Sequence, residues 1–405
     1  MKILLLTSIY PIPGIRIPGG TDVCHYFSKE WKNQGHDVMV VNTYTIYPRI
    51  LHWLGEKFGA AIANIFPVSI NTLRPKEPLE FEVDGVPVLL SSTYKRFPKL
   101  PFPDKSIHLT ADRIFTWLKR KNFRPDIITC HFLHPNIELS KYLKEYFPDT
   151  PVGISLHGKI SSPNDITTIE KLGNNIDFWG FRSYPIAGSF HKNIKQPDRE
   201  LYCFSGIPAD FIEPSAVDKH NHEGVHKYIF VGNLIHRKHP EAVIKGLAES
   251  GINFELEIIG SGQLEEKLKT LTKELKVRDK VIFSGRLSRE EVTSRMRDAE
   301  CLIMISQDET FGLVYLEAMA KGCLVIASKE EGMDGILKSD ENGWLVSAGS
   351  ADELSKQIIK INNLNISEKL TIAQNAIKTA SEMTDSIAAQ NYMDKLLDFS
   401  QSSAK

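Results

Sequence analysis

Short runs of Val, Ile and Leu alternate along almost the whole chain with stretches whose apolar residues recur every three or four positions. In the first half the runs are KILLLTS (2–8), HDVMVVNTY (36–44), VPVLLSS (86–92), DIITCHF (126–132), PVGISLHG (151–158) and IDFWGFRS (176–183). In the second half they are KYIFVGN (227–233), FELEIIG (254–260), KVIFSGR (280–286), ECLIMIS (300–306) and CLVIAS (323–328). Continuous apolar runs, as opposed to strict alternation, predict parallel strands covered on both faces. Amphipathic segments such as EAVIKGLAES and QLEEKLKTLTKEL lie between them, so each half reads as a βαβ-wound unit. The segment 205–224, rich in Pro, His and charge, reads as the linker, with one domain over 1–205 and a second over 206–382. Two doubly wound α/β domains placed face to face make a cleft at the carboxyl ends of their strands, where ligands of such folds bind.

A length of 405 residues suits two domains of ordinary size. No apolar run approaches the roughly 20 residues of a membrane span. MKILLLTSIYPIP is broken by Pro11 and Pro13 and reads as a strand in preference to a signal peptide. Five scattered cysteines without C-x-x-C spacing point to reduced thiols, hence to the cytoplasm, and away from a zinc or disulfide framework. The net charge of −1 argues against a general nucleic-acid binder. It hides an asymmetry, +6 over 1–205 and −7 over the remainder; a basic half suits an anionic surface or substrate, and an uneven solvated surface fits equally.

The stretch QDETFGLVYLEAMAKGCLVIAS (307–328) carries the most chemistry. It reads as a loop, then a helix starting at Phe311-Gly312 and stopped by Gly322, then the next strand. Free N–H groups at such a helix start favour a phosphate, and Gly312 leaves room for its approach. Glu317, about a turn into the helix, points its side chain back toward that mouth. Ionised carboxylates accept hydrogen bonds and repel phosphate, so Glu309 and Glu317 fit hydroxyl groups. A ligand with phosphates in the middle and hydroxyls at both ends, a nucleotide sugar, resolves the conflict. Spacing alone also fits a loop charge at Glu309 and a solvated helix position at Glu317.

DETFGLVYLEAMAKGCLVIAS resembles the Glu–seven residues–Glu signature of retaining glycosyltransferases of the GT-B fold, family 4. The likeness extends to SGRLSREEVTSRMRDAECLIMIS before it and ENGWLVSAGSADELSKQI after it. IPGGTDVCHYFSKEWKNQGHDVMVV is similar to the family's first Gly-rich loop and helix, and ISLHGKI to its His-Gly turn. The likeness is thinnest between 45 and 125, where acceptor-recognising surface varies in such enzymes.

The resemblance implies a metal-independent transfer from a nucleotide-diphosphate sugar to a hydroxyl acceptor, without a further cofactor. It places Gly19 and Gly20 in the loop near donor phosphates or acceptor, although a Gly-Gly pair alone fits a tight bend. His157 falls beside the donor sugar and reacting centre, a position that by itself fits a satisfied histidine at a strand end. Lys238 falls on the lysine that neutralises the leaving pyrophosphate; charge at the start of a surface helix is the plainer reading. Glu309 would hold the donor sugar and Glu317 the ribose, with Phe311, Gly312 and Leu313 at the helix mouth. A C-terminal helix at about 383–405 would cross back to the first domain.

Three positions depart from the family pattern. Asn233 stands where an arginine usually partners the lysine, with Arg237 as the nearest substitute, and His239 stands for the glycine after it. The acidic residue expected after the turn in SKEEGMDGILKSD falls on Gly335, one place after Asp334.

For retention the acceptor hydroxyl would attack the face the nucleotide leaves, with leaving-group phosphate taking the proton, so that catalysis is positioning plus charge stabilisation. The segments 47–66 and 94–105, basic and aromatic, suit a lipid-linked acceptor or the inner face of a membrane; a core helix and a surface loop suit them too. Bacterial cell-surface polysaccharide or glycoconjugate synthesis is the expected setting. The competing readings are an inverting transferase, a nucleotide-sugar epimerase, and a weakened or non-catalytic homologue acting as a partner of another transferase. An NAD enzyme is disfavoured, because the lone GSG at 260–262 is no full dinucleotide fingerprint.

Overall fold

The computed structural model describes residues 1–15, 22–53, 75, 77–98, 100–195 and 197–402. They form two compact units, one of Met1–Phe181, Gly188–Cys203 and Ala389–Lys405, the other of Arg182–Ala187 and Phe204–Ala388.

The first unit is built on strands β1 (Lys2–Thr7), β2 (Asp37–Ile46), β3 (Leu79–Val83), β4 (Val86–Tyr94), β5 (Ile127–His131), β6 (Val152–Leu156), β7 (Phe178–Phe181) and β8 (Glu200–Tyr202). Their order is β3-β4-β2-β1-β5-β6-β7-β8, parallel throughout except for the β3–β4 hairpin. Strands β5 and β6 are buried at every position, as expected where helices cover both faces. Those helices include α1 (Val23–Asn33), α2 (Asp104–Arg120), α3 (Asn136–Tyr146), α4 (Pro163–Leu172) and the part of α5 (Tyr184–Asn193) from Gly188 on, its first residues belonging to the second unit. Helix α1 buries Val23, Cys24, Phe27 and Trp31 and turns Lys32 and Asn33 outward. The last helix, here called α12 (Asp385–Ser402), begins in the second unit and continues into the first. There Trp31 Nε1 donates to the Ala389 carbonyl at 3.0 Å, and the Tyr392 hydroxyl meets Thr129 at 2.6 Å and Ser155 at 3.0 Å.

The second unit repeats the scheme with β9 (Lys227–Val231), β10 (Glu255–Ile259), β11 (Val281–Gly285), β12 (Cys301–Ile303), β13 (Leu324–Ser328) and β14 (Trp344–Val346). The order β11-β10-β9-β12-β13-β14 is parallel throughout and is the doubly wound order of nucleotide-binding sheets. Helices α6 (Pro240–Ser250), α7 (Glu265–Glu274), α8 (Arg289–Asp298), α9 (Leu313–Ala320), α10 (Ala351–Asn362) and α11 (Ile366–Ser381) cover it. One continuous apolar core joins strand residues such as Ile229, Ile258 and Val325 to Leu247, Met296 and Ala376 on the helices.

Two sequence readings change. Strands β3, β8 and β14 were not expected; β3 is an exposed edge with an alternating pattern, and the other two are only three residues long. The segment 205–224 is no linker but part of the second unit. It holds two short 3-10 helices, Ala209–Phe211 and Pro214–His220, with Val217 and His220 buried. Lys219 Nζ donates to the carbonyls of Met296, Ala299 and Lys321, closing the end of α8. The unit boundary falls at Cys203/Phe204, two residues before the one read from composition.

Candidate functional site

In the second sheet the chain winds outward from β9 to β10 and β11, then returns to β12 on the other side of β9. The reversal lies between β9 and β12, and their C-terminal loops therefore emerge side by side, the usual ligand position of such sheets. The β9 loop runs through a 3-10 turn, His236–Lys238, into α6; the β12 loop runs to α9. Gln307 N–H donates to the Arg237 carbonyl at 2.7 Å and ties the two loops together.

Across this junction Lys238 Nζ donates to Glu309 Oε2. The two side chains are only 11% and 14% exposed, so their charges face each other largely out of water. Two residues predicted separately, one for phosphate and one for sugar, are partners. The Glu309 backbone is itself held: its N–H donates to Glu331 Oε2 at 2.8 Å, and its carbonyl accepts from Gly332 N–H at 3.0 Å. Glu331 is buried and was missed, because the turn in SKEEGMDGILKSD does not by itself show that its carboxylate reaches back to the Glu309 N–H.

Helix α9 starts as predicted, with Gly312 at its N-cap. Gly312 has φ 90°, and a Cβ there would lie 2.4 Å from the Tyr315 ring. Backbone conformation and Tyr315 packing thus require glycine here, besides any approaching anion. The Tyr315 hydroxyl donates to the Met304 carbonyl at 2.7 Å, fixing the helix on the end of β12, and burial pushes its phenol pKa well up. Phe311 is buried, stacked on Phe204 with ring centres 5.8 Å apart and with the Arg182 guanidinium 5.8 Å from its own ring centre. Leu313 is half-buried at the first helical position.

Glu317 is not a solvated helix position: its carboxylate accepts from Arg289 NH2 at 2.7 Å and Nε at 3.1 Å, and its side chain is 12% exposed. Arg289, at the start of α8, lies over the Phe211 ring at 4.8 Å. Sequence reading missed it, since its partner is 28 residues away.

Asn233 is exposed, and Arg237, also exposed, donates to the Asp308 carbonyl at 3.4 Å. Arg237 and Lys238 therefore both reach the 304–312 loop. His239, in place of a glycine, has φ 47°, a conformation glycine adopts without strain, and Gly335 has φ 90° with the Tyr184 ring in the space of a Cβ. Gly19 and Gly20 lie outside the described residues, as do most of 47–66 and Lys99 within 94–105.

His157 belongs to the first unit, half-buried just beyond the C-terminal end of β6. Its Nε2 is 2.8 Å from His131 Nδ1, and its ring stacks on Phe132 with centres 3.9 Å apart. With Cys24 these histidines make the one group of three potential metal-ligating side chains found among the described residues.

Residues 213–379 match the family model of glycosyl transferases group 1. A glycosyltransferase of Methanocaldococcus jannaschii, itself uncharacterised, is 26% identical over 56% of this chain and 66% of its own length. The amylovoran biosynthesis glycosyltransferase of Erwinia amylovora is 26% identical over 37% of this chain and 40% of its own. The matched stretch thus spans no more than two thirds of either relative. In fold the match runs over nearly the whole chain: an Anabaena protein, HepE, crystallised with UDP, superposes with a TM-score of 0.69 over 98% of this chain and 100% of that one, at 17% identity. Residues 213–379 are therefore similar to glycosyl transferases group 1, within a chain whose two Rossmann-like units have the GT-B fold.

Proposed function

We propose that the chain is a retaining glycosyltransferase that moves a sugar from a nucleoside diphosphate sugar to a hydroxyl acceptor. The observation that carries this is the Lys238–Glu309 pair at the sheet's reversal point. Separating a largely buried pair is costly unless each partner is satisfied anew. A nucleotide sugar satisfies both at adjacent positions, its phosphates taking Lys238 and its sugar hydroxyls taking Glu309.

Lys238, seconded by Arg237, then stabilises the charge that grows on the departing diphosphate, the role a divalent cation fills in other transferases. Glu309, held by Glu331 and Gly332, keeps the sugar in one orientation. Glu317 takes the ribose hydroxyls on release from Arg289. Retention follows from attack of the acceptor hydroxyl on the face the nucleotide leaves, with a phosphate oxygen accepting its proton. The proposed setting is the cytoplasmic face of the membrane, in synthesis of a cell-surface polysaccharide or glycoconjugate; the matched Erwinia enzyme's name supports that setting. No helix of the described residues is long and apolar enough to cross a membrane.

The test is Glu309→Gln, which keeps shape and removes charge. Transfer from a panel of nucleotide sugars is expected to fall by roughly a hundredfold or more, with the folded state retained by circular dichroism. Turnover like that of the parent refutes the role of Glu309. The anomeric configuration of the product, read by NMR, tests retention, and full activity in EDTA tests metal independence.

A further inference from the structure

The first sheet has its own reversal point, between β1 and β5, and three soft or borderline ligands gather beside it. Cys24 sits in the first turn of α1, His131 ends β5, and His157 follows β6. One sulfur and two imidazole nitrogens lie within 4.8 Å of one another. The residues come from three elements of one unit, far apart in sequence, which no spacing motif could have shown.

We infer that Cys24, His131 and His157 form a binding site for a borderline-soft divalent cation, zinc in the first instance, with its fourth position open. The chemistry of the donors selects the metal: one thiolate and two neutral imidazoles suit zinc and exclude magnesium or calcium, which take oxygen ligands. The geometry is close to what zinc needs. His131 Nδ1 and His157 Nε2 stand 2.8 Å apart, and tetrahedral bonds of about 2.0–2.1 Å would spread them to roughly 3.3 Å. Small side-chain rotations suffice.

The surroundings support the ligands. The far nitrogen of His131, Nε2, is 3.4 Å from the Tyr392 hydroxyl, which is itself fixed by Thr129 and Ser155. Such an outer partner holds the ring orientation that leaves Nδ1 for the metal. Phe132, with φ 71°, stacks on His157 and steadies the second ring. Cys24 and His131 are fully buried while His157 is half-buried, so a cation enters along the His157 edge. On binding, the thiol proton leaves to solvent, the proton held between the two rings moves to the far nitrogen of its own ring, and the metal takes their place. Where His157 serves transfer, as the resemblance implies, bound zinc withdraws it and lowers turnover; that consequence alone rests on the function proposed above.

The test uses the full chain, free of chelator, titrated with cobalt(II) as a spectroscopic stand-in and then with zinc. The parent is expected to bind one equivalent, with a thiolate-to-cobalt charge-transfer band in the near ultraviolet and visible bands of tetrahedral cobalt, both bleached by zinc. Cys24→Ser should lose the charge-transfer band and bind at least roughly tenfold more weakly, and His157→Gln, at the half-buried edge, should weaken binding similarly while keeping the band. Cys301→Ser, in the other unit, should behave as the parent. No charge-transfer band in the parent overturns the site, as does a band that survives Cys24→Ser. The readout is independent of transfer, so failure of the metal site and failure of the transferase reading are separately visible.

Discussion

Gly312 shows how much one position at the site is constrained. Its φ of 90° strains any residue with a Cβ, and the Tyr315 ring occupies the place that Cβ would take. Gly312→Ala is expected to destabilise the second unit by about 2–3 kcal/mol, read as a lower urea midpoint. The Lys238–Glu309 pair has a different signature. Lys238→Met alone strands a largely buried carboxylate and should cost about 2–3 kcal/mol, somewhat below a fully buried case because water still reaches the pair. Adding Glu309→Leu removes the stranded charge, so the double variant should recover most of that stability while remaining inactive. Recovery of stability without activity separates a functional pair from a structural one; a double variant no more stable than Lys238→Met argues that the pair supports the fold.

At the scale of elements, α11 shows what local sequence can specify. The Asn365 side chain accepts from Glu368 N–H at 2.9 Å, and the Glu368 carboxylate accepts from Asn365 N–H at 2.9 Å. Asn365→Ala should cost about 1 kcal/mol by denaturant melt, since the Glu368 N–H loses its side-chain acceptor. The buried parallel strands were legible for an equally local reason: strands covered on both faces need unbroken apolar runs, and IITCH or LVIAS can be little else. LEFEV was not legible, because an edge strand half in water carries no such run. The helix start at Gly312 and both glutamates were also visible in one short stretch. Arg289 and Glu331, which hold them, were not. Arg289 meets Glu317 and Glu331 holds Glu309 only because the winding of the sheet brings separate loop and helix ends together. The same holds for Cys24, which composition placed among unremarkable thiols.

For the whole molecule, pH and ligand provide the accessible tests. His134 lies between Glu138 at 2.6 Å and Asp165 at 3.3 Å. Burial alone would lower its pKa, but the two carboxylates hold the proton and raise it from 6.5 to about 9. A raised folded-state pKa stabilises fully below the unfolded value and ceases to do so above the folded one. Stability should therefore fall by on the order of 1–2 kcal/mol between about pH 6.5 and 9, after allowance for water at the partly open site. In His134→Gln that part of the slope should vanish, as measured by urea melts across the range. The transferase reading further predicts that a nucleoside diphosphate raises the melting temperature, by about 2.7 kcal/mol of stabilisation at a hundred times its dissociation constant.

Helix α12 has a consequence in time. Trp31 and the Ala389 carbonyl that it bonds are 358 residues apart along the chain. At about 5–20 residues per second, a ribosome needs roughly 20–70 s to supply that closing segment after Trp31 has been made. The second unit holds every strand of its sheet well before then. The half of the protein that is synthesised first is thus the half that is completed last, and through that interval the face that receives Tyr392 waits uncovered. Release of the nascent chain shortly before residue 389 should leave the second unit folded and the first open to protease, an order opposite to that in which the two were translated.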